Sequence, residues 1–163
     1  IKADSSLYYF VFCGYYDETY LAYCENDEER DFFVSFQNNL PENCLWNIRY
    51  LKDEQEYNAI FNTFDIIYMV YKNHYTSSNR LTKAAVFHKL VLAQNVHCVG
   101  ENVTKYNLGE TAMSGNIEEQ LQQLEKLRNR LMENDFPTEQ WKIYAEKNNE
   151  KMLPQKLAEI INL

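Results

Sequence analysis

Apolar residues along this chain fall into short unbroken runs, set between segments whose apolar positions recur every three to four residues. Leu7 to Cys13, reading Leu-Tyr-Tyr-Phe-Val-Phe-Cys, is continuously apolar and stops at Gly14. A run without alternation suits a strand covered on both faces. Thr19 to Cys24 reads as a second strand. The acidic run from Glu25 to Asp31 opens a helix that continues to about Asn39, because carboxylates in a first turn favour the positive end of the helix dipole. Pro41 closes that helix. Leu45 to Tyr50 reads as a strand, Lys52 to Asn62 as a helix, and Asp65 to Tyr71 as a central strand.

After the polar loop Lys72 to Ser78, a helix is expected from Asn79 to about His88, then a buried strand from Leu90 to Ala93. Gly100 to Tyr106 reads as a short helix. The glycine of Asn107-Leu108-Gly109 is expected to stop it, and Thr111 to Met113 forms a last strand. Asn116 with Glu119 makes a capping-box-like start. Ile117, Leu121, Leu124, Leu127 and Leu131 then form one apolar stripe. Pro137-Thr138 begins a helix carrying Trp141 and Tyr144. Pro154 opens a final one with Leu157, Ile160 and Ile161. Strand and helix alternate throughout, which predicts an α/β fold: a Rossmann-like, three-layer α/β/α domain with a mostly parallel sheet. A length of 163 residues suits a single domain over residues 1–163.

Composition narrows the function. Hydrophobic residues make up 45% of the chain and charged residues 25%, the balance of a folded globular protein. A net charge of −8 argues against a nucleic-acid partner, which needs a basic stripe to displace counterions. It leaves room for a small phosphorylated ligand held by one local group of donors. No run of 18 apolar residues is present, and no basic n-region precedes an apolar stretch. The first residue is Ile, so upstream sequence is expected. Cys13, Cys24, Cys44 and Cys98 form no C-x-x-C pair and read as reduced, structural thiols of a cytosolic protein. His74, His88 and His97 lack metal spacing, so no metal and no cofactor is expected.

The stretch with chemical content runs from Asp65 to Glu110. Thr76, Ser77, Ser78 and Asn79 crowd hydroxyls and backbone N–H groups at a helix start that follows the strongest strand. In open parallel sheets ligands sit beyond the carboxyl ends of the strands, and the orphan donors of a helix N-terminus suit a phosphate. A plain serine N-cap explains part of the same pattern. Arg80 and Lys83 lie one turn apart on that helix and can supply charge.

The order of the neighbouring segments resembles the donor domain of GT-B glycosyltransferases, particularly the large retaining family 4-like group that builds polysaccharides and glycolipids. The matching pieces are Arg49 to Glu54, Phe64 to Tyr71, Ser77-Ser78-Asn79, Lys83-Ala84-Ala85, His88 to Ala93, Gly100 to Val103 and Tyr106 to Gly109. Together they cover about Leu7 to Leu131, with helices over about 137–163 as the closing segment. The resemblance implies one half of a GT-B fold that binds a nucleotide-activated sugar. It assigns Ser77, Ser78, Asn79, Arg80 and Lys83 to the donor diphosphate, and Arg49, Tyr50 and Leu51 to the nucleoside. It also implies that transfer needs an N-terminal acceptor domain, with peripheral contact at the inner membrane face through that domain. Two departures stand out. The family's paired glutamates fall on Tyr75 and Lys83, and no basic residue follows Gly14, where Tyr15-Tyr16-Asp17-Glu18 stand. Nucleotide contact is therefore a firmer expectation than catalysis, and the alternative is a non-catalytic nucleotide- or protein-binding module. A receiver-like domain fits poorly, because Asp65 begins its strand instead of ending it.

Overall fold

A computed structural model describes residues 4–15, 24, 26–72 and 74–149. The strand expected at Thr19 to Cys24 and the helix expected after Pro154 lie outside these residues, apart from Cys24. The chain divides into two compact units, one up to Ala59 and one from Ile60 onward.

In the first unit β1 (Phe10–Gly14) pairs in parallel with β2 (Cys44–Ile48), with Phe10 opposite Cys44 and Gly14 opposite Ile48. Parallel pairing requires a crossover, and α1 (Asp27–Asn38) supplies it. Asn26 caps α1 by accepting the Glu29 N–H at 2.8 Å, and Asp27, Glu28 and Glu29 fill the first turn, as the acidic run foretold. The contacts of this unit are aromatic. Trp46 meets Phe12, Phe33 and Phe36 at ring separations of 5.2, 5.6 and 6.1 Å. Helix α2 (Glu54–Asn62) spans the boundary between the units.

The second unit is a three-stranded parallel sheet in the order β3 (Ile66–Met69), β4 (Leu90–Gln94), β5 (Gly109–Ala112). Helices α3 (Asn79–Val86) and α4 (His97–Lys105) make the two crossovers, and α5 (Ile117–Glu133) and α6 (Thr138–Lys147) follow. Every position of β4 is buried, and α3, α4 and α5 all pack against it. The fold class is α/β with parallel strands, as the alternation of runs predicts.

Three expectations need correction. The five described strands form two sheets, not one. No position of β1 is buried although its run is continuously apolar, because a two-stranded sheet gives each strand only one neighbour. Among the described residues every buried apolar side chain lies at or after Phe61. The third correction concerns the end of α4. The left-handed position belongs to Asn107 (φ 49°), not to Gly109. Asn107 N–H donates to the Thr104 carbonyl and Leu108 N–H to the Val103 carbonyl, a Schellman closure sealed by fully buried Leu108 and Val103. Gly109 has a different duty. A Cβ placed there would lie 2.0 Å from the Val91 carbonyl oxygen, so glycine is what lets β5 lie against β4.

The apolar stripe of α5 is narrower than its spacing suggests, with Leu124 and Leu127 buried and Ile117 exposed. Asn116 caps this helix, accepting the Glu119 N–H at 3.1 Å. The Glu119 carboxylate reaches back to the Met113 N–H at 3.0 Å instead of to the cap residue itself. Helix α6 docks on α3 through Trp141, whose indole stacks on His88 at 5.2 Å. Tyr144, also buried, meets the Tyr106 ring at 5.1 Å.

Gly109→Ala is expected to cost at least about 3 kcal/mol in urea unfolding, since the obstructing atoms are backbone and cannot rotate away. Burial pushes the Tyr144 hydroxyl up to about 12. A raised folded-state value means stability that is complete below the unfolded tyrosine value of about 10 and declines as pH rises toward 12. Unfolding free energies measured between pH 9 and about 12 should fall less steeply for Tyr144→Phe than for the wild type.

Candidate functional site at the carboxyl ends of the parallel strands

Parallel strands joined by helical crossovers deliver every strand-to-helix loop to the same edge of the sheet. In the second unit that edge carries the β3–α3 loop (70–78) and the two residues joining β4 to α4. Both loops lead directly into helix N-termini, where backbone N–H groups lack helical partners.

The β3–α3 loop ends in a cap. Ser78 has extended backbone, and its Oγ accepts the Arg80 N–H at 3.3 Å while its carbonyl accepts the Leu81 N–H at 3.0 Å. Leu81 is fully buried and seats the first turn in the core. Ser77 and Asn79 are exposed beside the cap. The Arg80 guanidinium turns back over the loop, with Nη1 3.3 Å from the Tyr71 hydroxyl and the charge 5.9 Å from the ring centre. Ser77, Ser78, Asn79 and Arg80 are therefore brought together at the start of α3. Lys83 sits in the last turn of this eight-residue helix, about 7.5 Å along the axis from the cap at 1.5 Å per residue.

Arg49, Tyr50 and Leu51 belong to the first unit, just after β2. Arg49 is already engaged: its N–H donates to the Gly14 carbonyl, and its Nη2 pairs with Glu56 Oε1 at 2.6 Å. Glu56 also accepts the Lys52 N–H, while Asp53 Oδ1 accepts the Glu56 N–H at 2.8 Å. Tyr50 stacks on Tyr15 with ring centres 4.0 Å apart, and both rings are exposed.

The structure adds residues that the sequence did not mark as ligand-binding. Gln94 ends β4 and is 2% exposed, a position where an unpaired amide would be costly. Its Nε2 donates to the His74 carbonyl at 2.5 Å, tying the β3–α3 loop to the end of β4. Gly100 permits α4 to begin this close, since a Cβ there would lie 2.3 Å from the Gln94 carbonyl oxygen. The His74 ring lies 4.8 Å from Tyr71, and its Nε2 is shut off from solvent with no hydrogen-bond partner among the described residues. Tyr75, in the β3–α3 loop, and His97, the first residue of α4, meet at 4.5 Å. The available signal was the polar Gln94 closing an apolar run, followed closely by Gly100.

Cys13, Cys24, Cys44 and Cys98 are free thiols. Among the described residues no group of three or more His, Cys, Asp and Glu side chains converges as a metal site requires, and no helix is long and apolar enough to cross a membrane. No protein-family model, curated protein or solved structure matches the chain.

The Arg49 hydrogen bond, reinforced by the Lys52 N–H, holds the Glu56 carboxyl below its ordinary value. A depressed folded-state value means stability that is present above the unfolded carboxylate range and lost as pH falls through the folded value. Glu56→Gln should therefore lower stability at neutral pH, and its deficit relative to wild type should shrink in unfolding curves taken below about pH 4.5. A deficit independent of pH would leave the ion pair without the stabilising part assigned to it.

Proposed function

We propose that this chain is the nucleotide-sugar-binding half of a GT-B glycosyltransferase that builds a polysaccharide or glycolipid, inactive in transfer without an acceptor domain. The observation that carries the reading is the start of α3. It lies at the carboxyl end of a parallel strand, and its hydroxyl and amide groups exceed what one cap uses. In this reading the Asn79 backbone N–H, Ser77 Oγ and the Asn79 side-chain amide receive the donor diphosphate. Arg80 and Lys83 supply the countercharge as the diphosphate departs, without a metal. Arg49, Tyr50 and Leu51, assigned to the nucleoside by the resemblance, belong to the first unit, where the Tyr15–Tyr50 stack offers an aromatic surface.

Tyr75 and Lys83, where the resembled family carries glutamates, favour a second reading in which the chain binds a nucleotide without turnover. Both readings require nucleotide binding, so binding is the property to test first. Ser78 is best left intact, because its loss removes a cap worth about 1 kcal/mol and confuses stability with affinity. The informative variant is Ser77→Ala with Arg80→Ala, followed by thermal shift against a panel of nucleoside diphosphates. The wild type should gain stability with at least one of them. The variant should lose about 1.5–3 kcal/mol of binding free energy per anion contact removed, with its ligand-free melting temperature close to wild type. Binding that survives in the variant would reduce the loop to a helix cap.

A further inference from the structure

Four residues other than glycine hold a left-handed backbone among the described residues, and three have an ordinary reason. His88, Asn107 and Asn134 each stand just past a helix, where the amides around them bond back into the last turn. Lys89 N–H reaches the Ala84 carbonyl, Leu108 N–H that of Val103, and Asp135 N–H that of Arg130. His97, with φ 62°, opens α4 instead of closing a helix. No cap requires it, since the N-cap residue Val96 has no side-chain oxygen to offer. Strained positions of this kind persist where the surrounding structure dictates them, and they concentrate at functional sites.

What the conformation achieves is the contact with Tyr75. The two rings lie 4.5 Å apart at an angle of 56°, one from the β3–α3 loop and one from the first residue of α4. Tyr75 is 64% exposed, three residues ahead of the Ser78 cap. Its backbone is steadied from the neighbouring residue, whose carbonyl is held by the buried amide of Gln94. Neither the Tyr75 hydroxyl nor the His97 imidazole has a hydrogen-bond partner among the described residues. An aromatic face and two unused polar groups therefore stand together at the ligand edge of the sheet, fixed from beneath by the core.

We infer that Tyr75 and His97 form the platform for the sugar ring of the donor, an assignment that rests on the donor-binding reading above. A hexose has a face of C–H groups and a rim of hydroxyls. The C–H face packs on an aromatic ring, and a phenol and an imidazole can exchange hydrogen bonds with the rim. The tilt between the rings makes a wedge and not a parallel slot, so a flat base cannot be sandwiched between them. Placement next to the start of α3 puts the sugar beside the diphosphate, as the covalent structure of a nucleotide sugar demands.

Calorimetric titration of this chain with UDP, GDP and their hexose conjugates tests the assignment. In the wild type a hexose conjugate should bind about three- to tenfold more tightly than its parent diphosphate, the gain typical of one favourable aromatic contact. Tyr75→Ala should abolish that advantage and leave the affinity for free diphosphate unchanged, while Tyr75→Phe should retain most of it. His97→Gly, which keeps the left-handed backbone and removes the ring, should lose part of it. Melting temperatures of the Tyr75 variants should match wild type, because the side chain is mostly exposed. An intact advantage in Tyr75→Ala overturns the assignment, and so does an equal weakening of diphosphate and conjugate. Diphosphates that bind with no sugar advantage in the wild type defeat this assignment alone. No diphosphate binding at all defeats the donor-binding reading and this one with it.

Discussion

A strand with no exposed position governs the second unit. Leu90, Val91, Leu92, Ala93 and Gln94 of β4 are all buried, so both faces must be covered and both edges paired. The edges are met by β3 and β5, and the covering comes from α3, α4 and α5. At about 25 cal/mol per Å² of apolar surface, this burial is the main favourable contribution the unit possesses. The same constraint dictates Gly109, where the backbone of β5 leaves no space for a Cβ against Val91.

Burial also reaches into the candidate site. Gln94 is the one polar residue on β4, and an amide in that position must be bonded. It takes the His74 carbonyl, which fixes the β3–α3 loop against the next strand. The core thereby positions Tyr71, His74, Tyr75 and the Ser78 cap. The loop geometry follows from polar satisfaction at the end of a buried strand, with α4 admitted closely by Gly100. Rigid support beneath a set of exposed polar and aromatic groups is the arrangement that binding sites on parallel sheets require.

The first unit obeys different physics. Its strands pair and its helix is capped, yet no apolar side chain in it is fully buried among the described residues. Edge-to-face and tilted contacts around Trp46 provide its cohesion, with ring faces left partly open. Tyrosine and phenylalanine are frequent here because such rings contribute contact area without complete enclosure.

Continuous apolar runs and 3.6-residue spacing were enough to locate the five described strands and six helices and to make the sheets parallel, because both signals are local properties of the chain. The acidic start of α1, the Asn116 cap and the Ser78 cap were legible for the same reason: each depends on residues within one turn. What separated β1 and β2 from the other three strands was not local, since an apolar run does not specify how many neighbours will cover it. The exchange of roles between Asn107 and Gly109 was likewise hidden, because the need for glycine arises from Val91, eighteen positions earlier in the chain. The Arg49–Glu56 pair is a tertiary product of a strand end meeting a helix. So is the Tyr75–His97 contact, made by a loop and a helix start that only adjacent parallel strands bring together. Sequence alone determined the elements and their caps through short-range hydrogen bonding and periodicity. Tertiary structure decided burial, the glycine contacts and the pairing of side chains across loops, because those depend on distances that close only when the strands align.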